Sequence, residues 1–292
     1  VIRNATIIDG TGAQRFTGDV TVEDGHISEV GSSSSAATVE VDATGLVLAP
    51  GFVDVHTHDD GALLQHPDMA FKISQGCTSV VVGNCGFSAI PAVPGENTLD
   101  LSGVQANWSD LDGYRQNVEN SGPALNAMML VGHNTIRSLE MGNERRAPND
   151  QELERMQQHV ELAMEQGACG FSTGLVYRPG RWSDTDEILE LAKIVAPFDG
   201  IYATHMRNEN DHLLEAVDEA LEIGTKAGVA VQISHHKAAG KRNWGKVEES
   251  LAKVDAAVAE GAKVTLDVYP YTAGSGPMAQ YFDIDNPNPE LA

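Results

Sequence analysis

The feature that most constrains the fold is an alternation of short apolar runs with helical segments, which begins at residue 51. Alternation of this kind is typical of parallel βαβ units. It predicts an α/β protein built on a (β/α)8 barrel, of which seven strands are recognisable. The predicted strands are GFVDVHTH (51–58), TSVVVGNCG (78–86), ALNAMMLVGH (124–133), CGFSTGL (169–175), GIYATHM (200–206), VAVQISHH (229–236) and AKVTLDVYPY (262–271).

Four segments between the later runs carry apolar residues at three- and four-residue spacing, which predicts amphipathic helices. They are residues 150–167, 185–196, 210–228 and 246–261. The tail at 283–292, DIDNPNPELA, has the composition of a loop. An eighth strand is therefore expected to be missing from this chain.

The first fifty residues follow a different pattern, with alternating apolar positions broken by glycine-containing turns. This part predicts strands of a small sheet domain. We place the boundary at Pro50–Gly51, which gives a sheet domain at 1–50 and a barrel at 51–292 with strands one to seven.

Composition narrows the functional class. Acidic residues outnumber basic ones by 42 to 19, and a formal charge of −23 repels nucleic acid and anionic membranes. The chain contains no apolar run long enough to span a bilayer and no signal-like segment. Its three cysteines are an odd number without paired spacing, which fits a reducing compartment. These features predict a cytoplasmic protein.

Candidate metal ligands stand at the ends of four predicted strands, where parallel barrels carry their functional residues. His56 and His58 lie two residues apart, so strand alternation places both on one face. Cys85 and His205 end two other runs. Imidazole and thiolate are good zinc ligands. A lone histidine on a strand is more often structural, but four strands ending in ligand-type residues favour a zinc site.

The sixth run ends in two adjacent histidines, His235 and His236. Alternation puts His235 on the face of Val231 and Ile233, and His236 on the opposite face. Only one of the two can face the barrel axis, and alternation alone leaves open which.

Several motifs resemble the N-acyl-D-amino acid deacylases (D-aminoacylases) of the amidohydrolase superfamily. They are PGFVDVHTHDD, GCTSVVVGNCGFS, STGLVY, ATHMRNE and ISHHKAAG, and the resemblance extends from ATIIDGTG to DVYPYTAGS. It implies a barrel joined to a small β-sandwich built from both chain ends. It also implies zinc-dependent hydrolysis of N-acyl-D-amino acids to a carboxylate and a free D-amino acid.

The resemblance assigns roles to individual residues. Cys85, His205 and His235 correspond to the ligands of one tight zinc ion. His56 and His58 correspond to a second, weaker metal position. The remaining two matches, Tyr177 and Lys237, correspond to positions that help hold the carboxylate of a small-molecule N-acyl amino acid.

The sequence departs from the family at its end. The superfamily places a catalytic aspartate at the end of strand eight, and that position lies beyond Ala292. Asp267 is interpreted as lying within strand seven, so no catalytic residue is assigned. The remaining C-terminal segment, or another chain, is expected to complete the barrel.

Two alternatives stay open. One is a related amidohydrolase acting on other N-acyl compounds or on cyclic amides, as hydantoinases and dihydroorotases do, although Cys85 in GNCG replaces the bridging lysine of those enzymes. The other is a non-catalytic barrel subunit. The side chain and acyl group of the substrate are not determined by the sequence.

Overall fold

The computed structural model describes residues 1–96 and 103–276. It divides into two compact units, Val1–Phe52 and Val53–Ala292. The predicted loop-like tail at 283–292 lies outside the described residues. No helix in the described part of the chain is long and apolar enough to cross a membrane.

The first unit contains a five-stranded sheet in the order β3-β2-β1-β4, with β5 also paired to β1. The first three strands are antiparallel, whereas β4 and β5 run parallel to β1. Four buried apolar side chains form its core: Ala5, Ile7, Val20 and Ala43. The strands are β1 (Ile2–Ile7), β2 (Phe16–Glu23), β3 (His26–Gly31), β4 (Val41–Asp42) and β5 (Val47–Leu48).

A seven-stranded sheet in the order β12-β11-β10-β9-β8-β7-β6 lies in the second unit, except for Phe52, the first residue of β6. The pairs from β7 to β12 are parallel. The predicted α/β class with an incomplete parallel barrel is thereby confirmed. The strands are β6 (Phe52–Asp54), β7 (Cys77–Val82), β8 (Asn126–Gly132), β9 (Gly170–Gly174), β10 (Ile201–His205), β11 (Ala230–Ile233) and β12 (Val264–Leu266).

Helices alternate with these strands, as the βαβ pattern requires. The four predicted helices correspond to α5 through α8, while α1 to α4 were not predicted. The helices are α1 (Ala62–Gln65), α2 (Ala70–Ile73), α3 (Leu111–Ser121), α4 (His133–Met141), α5 (Asp150–Glu165), α6 (Thr185–Val195), α7 (Leu213–Ala227) and α8 (Lys246–Ala259).

The two faces of the seven-stranded sheet bury different sets of side chains. Phe171, Tyr202 and Ile233 belong to the large cluster that also contains the apolar faces of the helices. Val81 and Leu130 belong to a separate small cluster with Ala203. Because side chains alternate along a strand, the second cluster marks the face of the sheet opposite the helices, toward which ligands of a barrel site must point.

The strands are shorter than their apolar runs predict. β6 ends at Asp54, so His56 and His58 lie in the segment after the strand and not within it. β12 ends at Leu266, which corrects the interpretation of Asp267 as a residue within strand seven. In both cases the apolar run continues past the end of the strand, although the backbones of Thr57 and Asp267 still bond to neighbouring strands.

Candidate metal centre

Five predicted ligands converge at the carboxyl ends of four strands. His205 is the last residue of β10, and the other four follow the ends of β6, β7 and β11. Their ligand atoms form two groups, each lying within 4.8 Å: Cys85 with His205 and His235, and His56 with His58 and Cys85. Cys85 belongs to both groups, so a single thiolate can serve two adjacent metal positions.

The donor atoms lie close to, or somewhat inside, the separations that a zinc ion imposes on its ligands. A tetrahedral zinc ion separates two nitrogen ligands by roughly 3.4 Å, and a sulfur and a nitrogen by roughly 3.6 Å. Cys85 Sγ lies 3.2 Å from His56 Nε2 and 3.7 Å from His235 Nε2. His235 Nε2 lies 2.8 Å from His205 Nδ1, the distance of a hydrogen bond between two imidazoles. The donor set of one thiol and two imidazoles therefore fits a zinc ion, and the sulfur–nitrogen distances are close to those on a bound ion.

The surroundings of two of these histidines favour the neutral form that metal ligation requires. Burial, followed by the neighbouring His235, lowers the pKa of His205 to about 3. Desolvation and the nearby His56 lower the pKa of His58 to about 4. Imidazoles with these pKa values present unprotonated nitrogen at neutral pH.

His236 lies apart from this cluster. It is buried, and its Nε2 lies 2.9 Å from Ser250 Oγ on α8. His235 has a φ of 37°, in the left-handed region that a residue with a Cβ seldom occupies. That backbone conformation breaks the alternation of the strand, so His235 faces the site although Ile233 packs among the helices.

Cys85 is also held in an unusual backbone conformation, with a φ of 55°. Glycines allow the close packing around it. A Cβ at Gly174, the last residue of β9, would lie 2.0 Å from the Cys85 carbonyl oxygen. A Cβ at Gly86 would lie 2.2 Å from Asn134 Oδ1. The loop carrying the thiol is therefore fixed against β9 and α4.

Two carboxylates that sequence reasoning did not assign join the cluster. Asp267 Oδ1 lies 3.0 Å from His56 Nδ1, and Glu209 Oε1 lies 2.7 Å from His235 Nδ1. Desolvation opposes ionisation of Glu209, but the hydrogen bond from His235 and the neighbouring His205 and Lys237 hold its pKa at about 2. Partial burial likewise opposes ionisation of Asp267, but the hydrogen bond from His56 contributes to a net lowering of its pKa. The sequence signal was available, since ATHMRNE and TLDVY carry both residues just after strands.

A cavity of about 480 Å³ opens beside the cluster and is lined by His205, Glu209, His235, Lys237 and Tyr269, among others. Its size is within the range of small-molecule sites. Lys237 Nζ donates to Glu209 Oε1 at 2.6 Å and to the His235 carbonyl at 2.8 Å. It also lies 5.4 Å from the centre of the Tyr269 ring.

Tyr177, the other predicted substrate-binding residue, lies against the metal cluster. Its ring meets that of His205 edge to face, with 4.7 Å between centroids. Phe87 packs on it at a centroid distance of 5.7 Å. The structure thus brings Tyr177 to His205 and places Lys237 in the neighbouring cavity.

His133, which ends the third predicted strand, lies away from the cluster. It begins α4 and is fully buried, with Nε2 2.7 Å from Glu187 Oε1. Arg137 donates to the other oxygen of the same carboxylate. This buried network links α4 to α6 and is structural.

Two bacterial deacylases are similar to this chain in sequence. The chain is 41% identical over 285 residues to a D-aminoacylase of Alcaligenes xylosoxydans xylosoxydans, covering 96% of this chain and 59% of the relative. It is 40% identical to an N-acyl-D-glutamate deacylase of the same organism, covering 94% and 57%. The chain thus spans less than two thirds of the length of these relatives.

Among solved structures, an N-acyl-D-glutamate deacylase from Bordetella bronchiseptica, complexed with zinc and a phosphonate inhibitor, matches with a TM-score of 0.88. It is 42% identical, and the match covers 92% of this chain and 58% of that one. A crystal structure of D-aminoacylase matches with a TM-score of 0.89 at 41% identity, covering 94% and 58%. The resemblance seen in the sequence motifs is confirmed.

A family model provides the classification. The model of the amidohydrolase family matches residues 39–282, which include the seven-stranded sheet and all five clustered ligands. With the fold, the ligand chemistry and the family model in agreement, the chain belongs to the amidohydrolase family.

Proposed function

We propose that the protein hydrolyses the amide bond of N-acyl-D-amino acids, with zinc held by Cys85, His205 and His235. The observation that carries this proposal is the juxtaposition of that thiolate–imidazole group with a cavity containing a lysine. The chain's relatives are D-aminoacylase and D-amino-acid deacylases, which supports the same reaction class. A second, weaker metal position is assigned to His56 and His58, sharing Cys85.

The residues of the site have separate roles in amide hydrolysis. Bound zinc would act as a Lewis acid that acidifies water and polarises a carbonyl. Lys237 supplies a cation for the α-carboxylate of the substrate, a charge-assisted contact. Its Nζ lies 3.1 Å from His235 Nδ1, so a carboxylate held there sits beside the metal ligands. Tyr177 forms the wall of the site against His205.

Neither Asp267 nor Glu209 is assigned the role of general base. Asp267 accepts hydrogen bonds from His56, from the His235 backbone and from Gln232, and Glu209 accepts from His235 and Lys237. Both carboxylates thus already accept hydrogen bonds that orient neighbouring side chains and backbone. The role of base stays with the aspartate predicted at the end of an eighth strand.

The proposal is tested by metal analysis and by turnover of the full-length protein. Wild-type protein should retain zinc on dialysis and hydrolyse an N-acetyl-D-amino acid faster than its L enantiomer. Cys85→Ala should lose most of the zinc and the activity, because the thiolate is shared by both metal groups.

The matched control is His236→Ala, which removes a buried histidine that bonds Ser250 and lies outside the cluster. It should retain zinc. Retention of zinc by Cys85→Ala at the wild-type level would contradict the assignment. Turnover of a hydantoin or dihydroorotate instead of the N-acyl compound would favour the cyclic-amide alternative, and a wild type without zinc would favour the non-catalytic one.

A further inference from the structure

Two of the clustered histidines share a geometry that the metal assignment does not by itself explain. In His235, Nδ1 faces Glu209 Oε1 at 2.7 Å while Nε2 faces Cys85 Sγ and His205 Nδ1. In His56, Nδ1 faces Asp267 Oδ1 at 3.0 Å while Nε2 faces Cys85 Sγ at 3.2 Å. Each ring therefore points one nitrogen at a carboxylate and the other into the site.

This orientation has a chemical consequence. A neutral imidazole carries its proton on one nitrogen only, and the ligating nitrogen must be the bare one. A carboxylate accepting from Nδ1–H fixes the proton there and leaves the Nε2 lone pair free. It also prevents rotation of the ring and raises the basicity of the ligating nitrogen.

Asp267 is itself held rigidly. Its Oδ1 accepts from the backbone N–H of His235 at 2.6 Å, and its Oδ2 accepts from Gln232 Nε2 at 2.8 Å. Its own backbone pairs with Ile233 and His236. Because Asp267 follows β12 and His56 follows β6, their contact joins the two edge strands of the open sheet.

Glu209 is fixed by a different set of partners. Lys237 Nζ donates to Oε1 at 2.6 Å, and the Glu209 carbonyl accepts from the backbone of Ala239 at 2.7 Å. The loops after β10 and β11 thus meet at this carboxylate. One oxygen serves both the metal ligand His235 and the cation of the substrate cavity.

We propose that Glu209 and Asp267 are positioning residues that set the tautomer and ring orientation of His235 and His56, and thereby the affinity of the two metal positions. This inference deepens the proposed function, because it takes the metal site as given. It assigns each carboxylate to one position: Glu209 to the tight zinc and Asp267 to the weaker one.

The test is zinc binding at buffered free zinc concentrations, which yields two dissociation constants for the wild type without reference to activity. Glu209→Ala should weaken the tight position by about 10- to 100-fold, the range found for such outer partners of histidine ligands. Asp267→Ala should weaken the second position by a similar factor. Glu209→Gln and Asp267→Asn keep the shape and an acceptor, so they should lose less than the alanine variants.

The matched control is Glu219→Ala. Glu219 accepts from Arg207 in the same cavity, and its side chain has the same 14% exposure as that of Glu209. Glu219 contacts Arg207 and Thr185. Its replacement by alanine should leave both zinc dissociation constants at their wild-type values. Substitution with cobalt gives a second readout, since altered ring orientation shifts the visible bands of the bound ion.

The outcomes separate the two proposals. Unchanged zinc affinity in folded Glu209 and Asp267 variants of a zinc-binding wild type overturns this inference alone. An equal loss of zinc affinity in Glu219→Ala also overturns this inference, because the effect would then reflect a general loss of packing. If an alanine variant fails to fold, its Gln or Asn counterpart decides the question. A wild type that binds no zinc overturns the metal proposal and this inference together.

Discussion

The Cys85 carbonyl and Gly174 meet so closely that no side chain fits between them. A Cβ at Gly174 would lie 2.0 Å from that oxygen and 2.8 Å from the Tyr177 ring. Backbone atoms cannot yield as a flexible side chain can. The position of the thiolate therefore depends on the absence of a single methyl group at the end of β9.

Gly174→Ala should accordingly displace the Cys85 loop, destabilise the protein by about 1–3 kcal/mol and reduce retained zinc. The measurements are the urea midpoint and zinc content after dialysis. Gly245→Ala is the control, because a Cβ at Gly245 meets nothing within 4 Å and its φ of −71° suits alanine. Wild-type zinc retention in Gly174→Ala would show that the loop accommodates the methyl group elsewhere.

At the scale of single residues, the sequence predicts which residue types form the site better than it predicts where their side chains point. The types and approximate places of the five clustered residues could be predicted, because ligand chemistry at strand ends is visible in the motifs. Strand alternation could not choose between His235 and His236. Extended past Ile233, it points His235 toward the helices, and only the left-handed backbone at His235 reverses that. The pattern of apolar residues does not indicate a single φ angle of this kind.

Among the secondary-structure elements, α5 shows how local sequence fixes a helix start. Asn149 caps it by accepting from the Glu152 backbone, and the Glu152 carboxylate accepts in return from Asn149 N–H. Arg146 adds a bidentate ion pair to the same carboxylate at 2.6 and 2.7 Å. These contacts join the loop before α5 to its first turn.

The capping box formed by Asn149 and Glu152 predicts that the stability of the protein depends on pH. The hydrogen bond from Arg146, followed by that from the Asn149 backbone, lowers the pKa of Glu152 from 4.5 to about 2. A folded-state pKa below the unfolded one means that the contribution is present above pH 4.5 and is lost as pH falls toward 2. Glu152→Gln should therefore lower the urea midpoint at pH 7, and the difference from wild type should shrink below pH 4.5.

The control for this helix is Glu154→Gln, which changes an exposed carboxylate two residues further on. Its difference from wild type should be small at every pH. A deficit of Glu152→Gln that stays constant from pH 7 to 3.5 would mean that the carboxylate acts through its shape and not through its charge.

The elements that sequence reasoning missed share a physical cause. Helix α3 buries only Leu111, Tyr114 and Val118, and its Gly113 weakens the local preference for a helix. The helix α4 begins at His133, directly after β8, within a run that the sequence assigned to a strand. Its cap is Gly132, which makes no side-chain capping bond. Tertiary packing, not local signal, decides such segments.

The charge of the whole molecule is its most unbalanced property. Even if every lysine and arginine paired with one carboxylate, 23 acidic groups would remain without a basic partner. Mutual repulsion among like charges destabilises the compact state. The buried network of Arg137, His133 and Glu187 is protected from solvent, so salt should act chiefly on the surface repulsion.

Salt should therefore stabilise this protein. Raising sodium chloride from 10 to 150 mM shortens the screening length from about 30 Å to about 8 Å. We expect Tm at pH 7.5 to rise by about 2–4 °C, equivalent to about 1 kcal/mol for a chain of this size. The control is the same pair of salt concentrations near pH 4.6, the isoelectric point of the sequence, where the net charge and hence the response should vanish. A Tm that falls with salt at pH 7.5 would show instead that surface ion pairs such as Lys253–Asp218 outweigh the acidic excess.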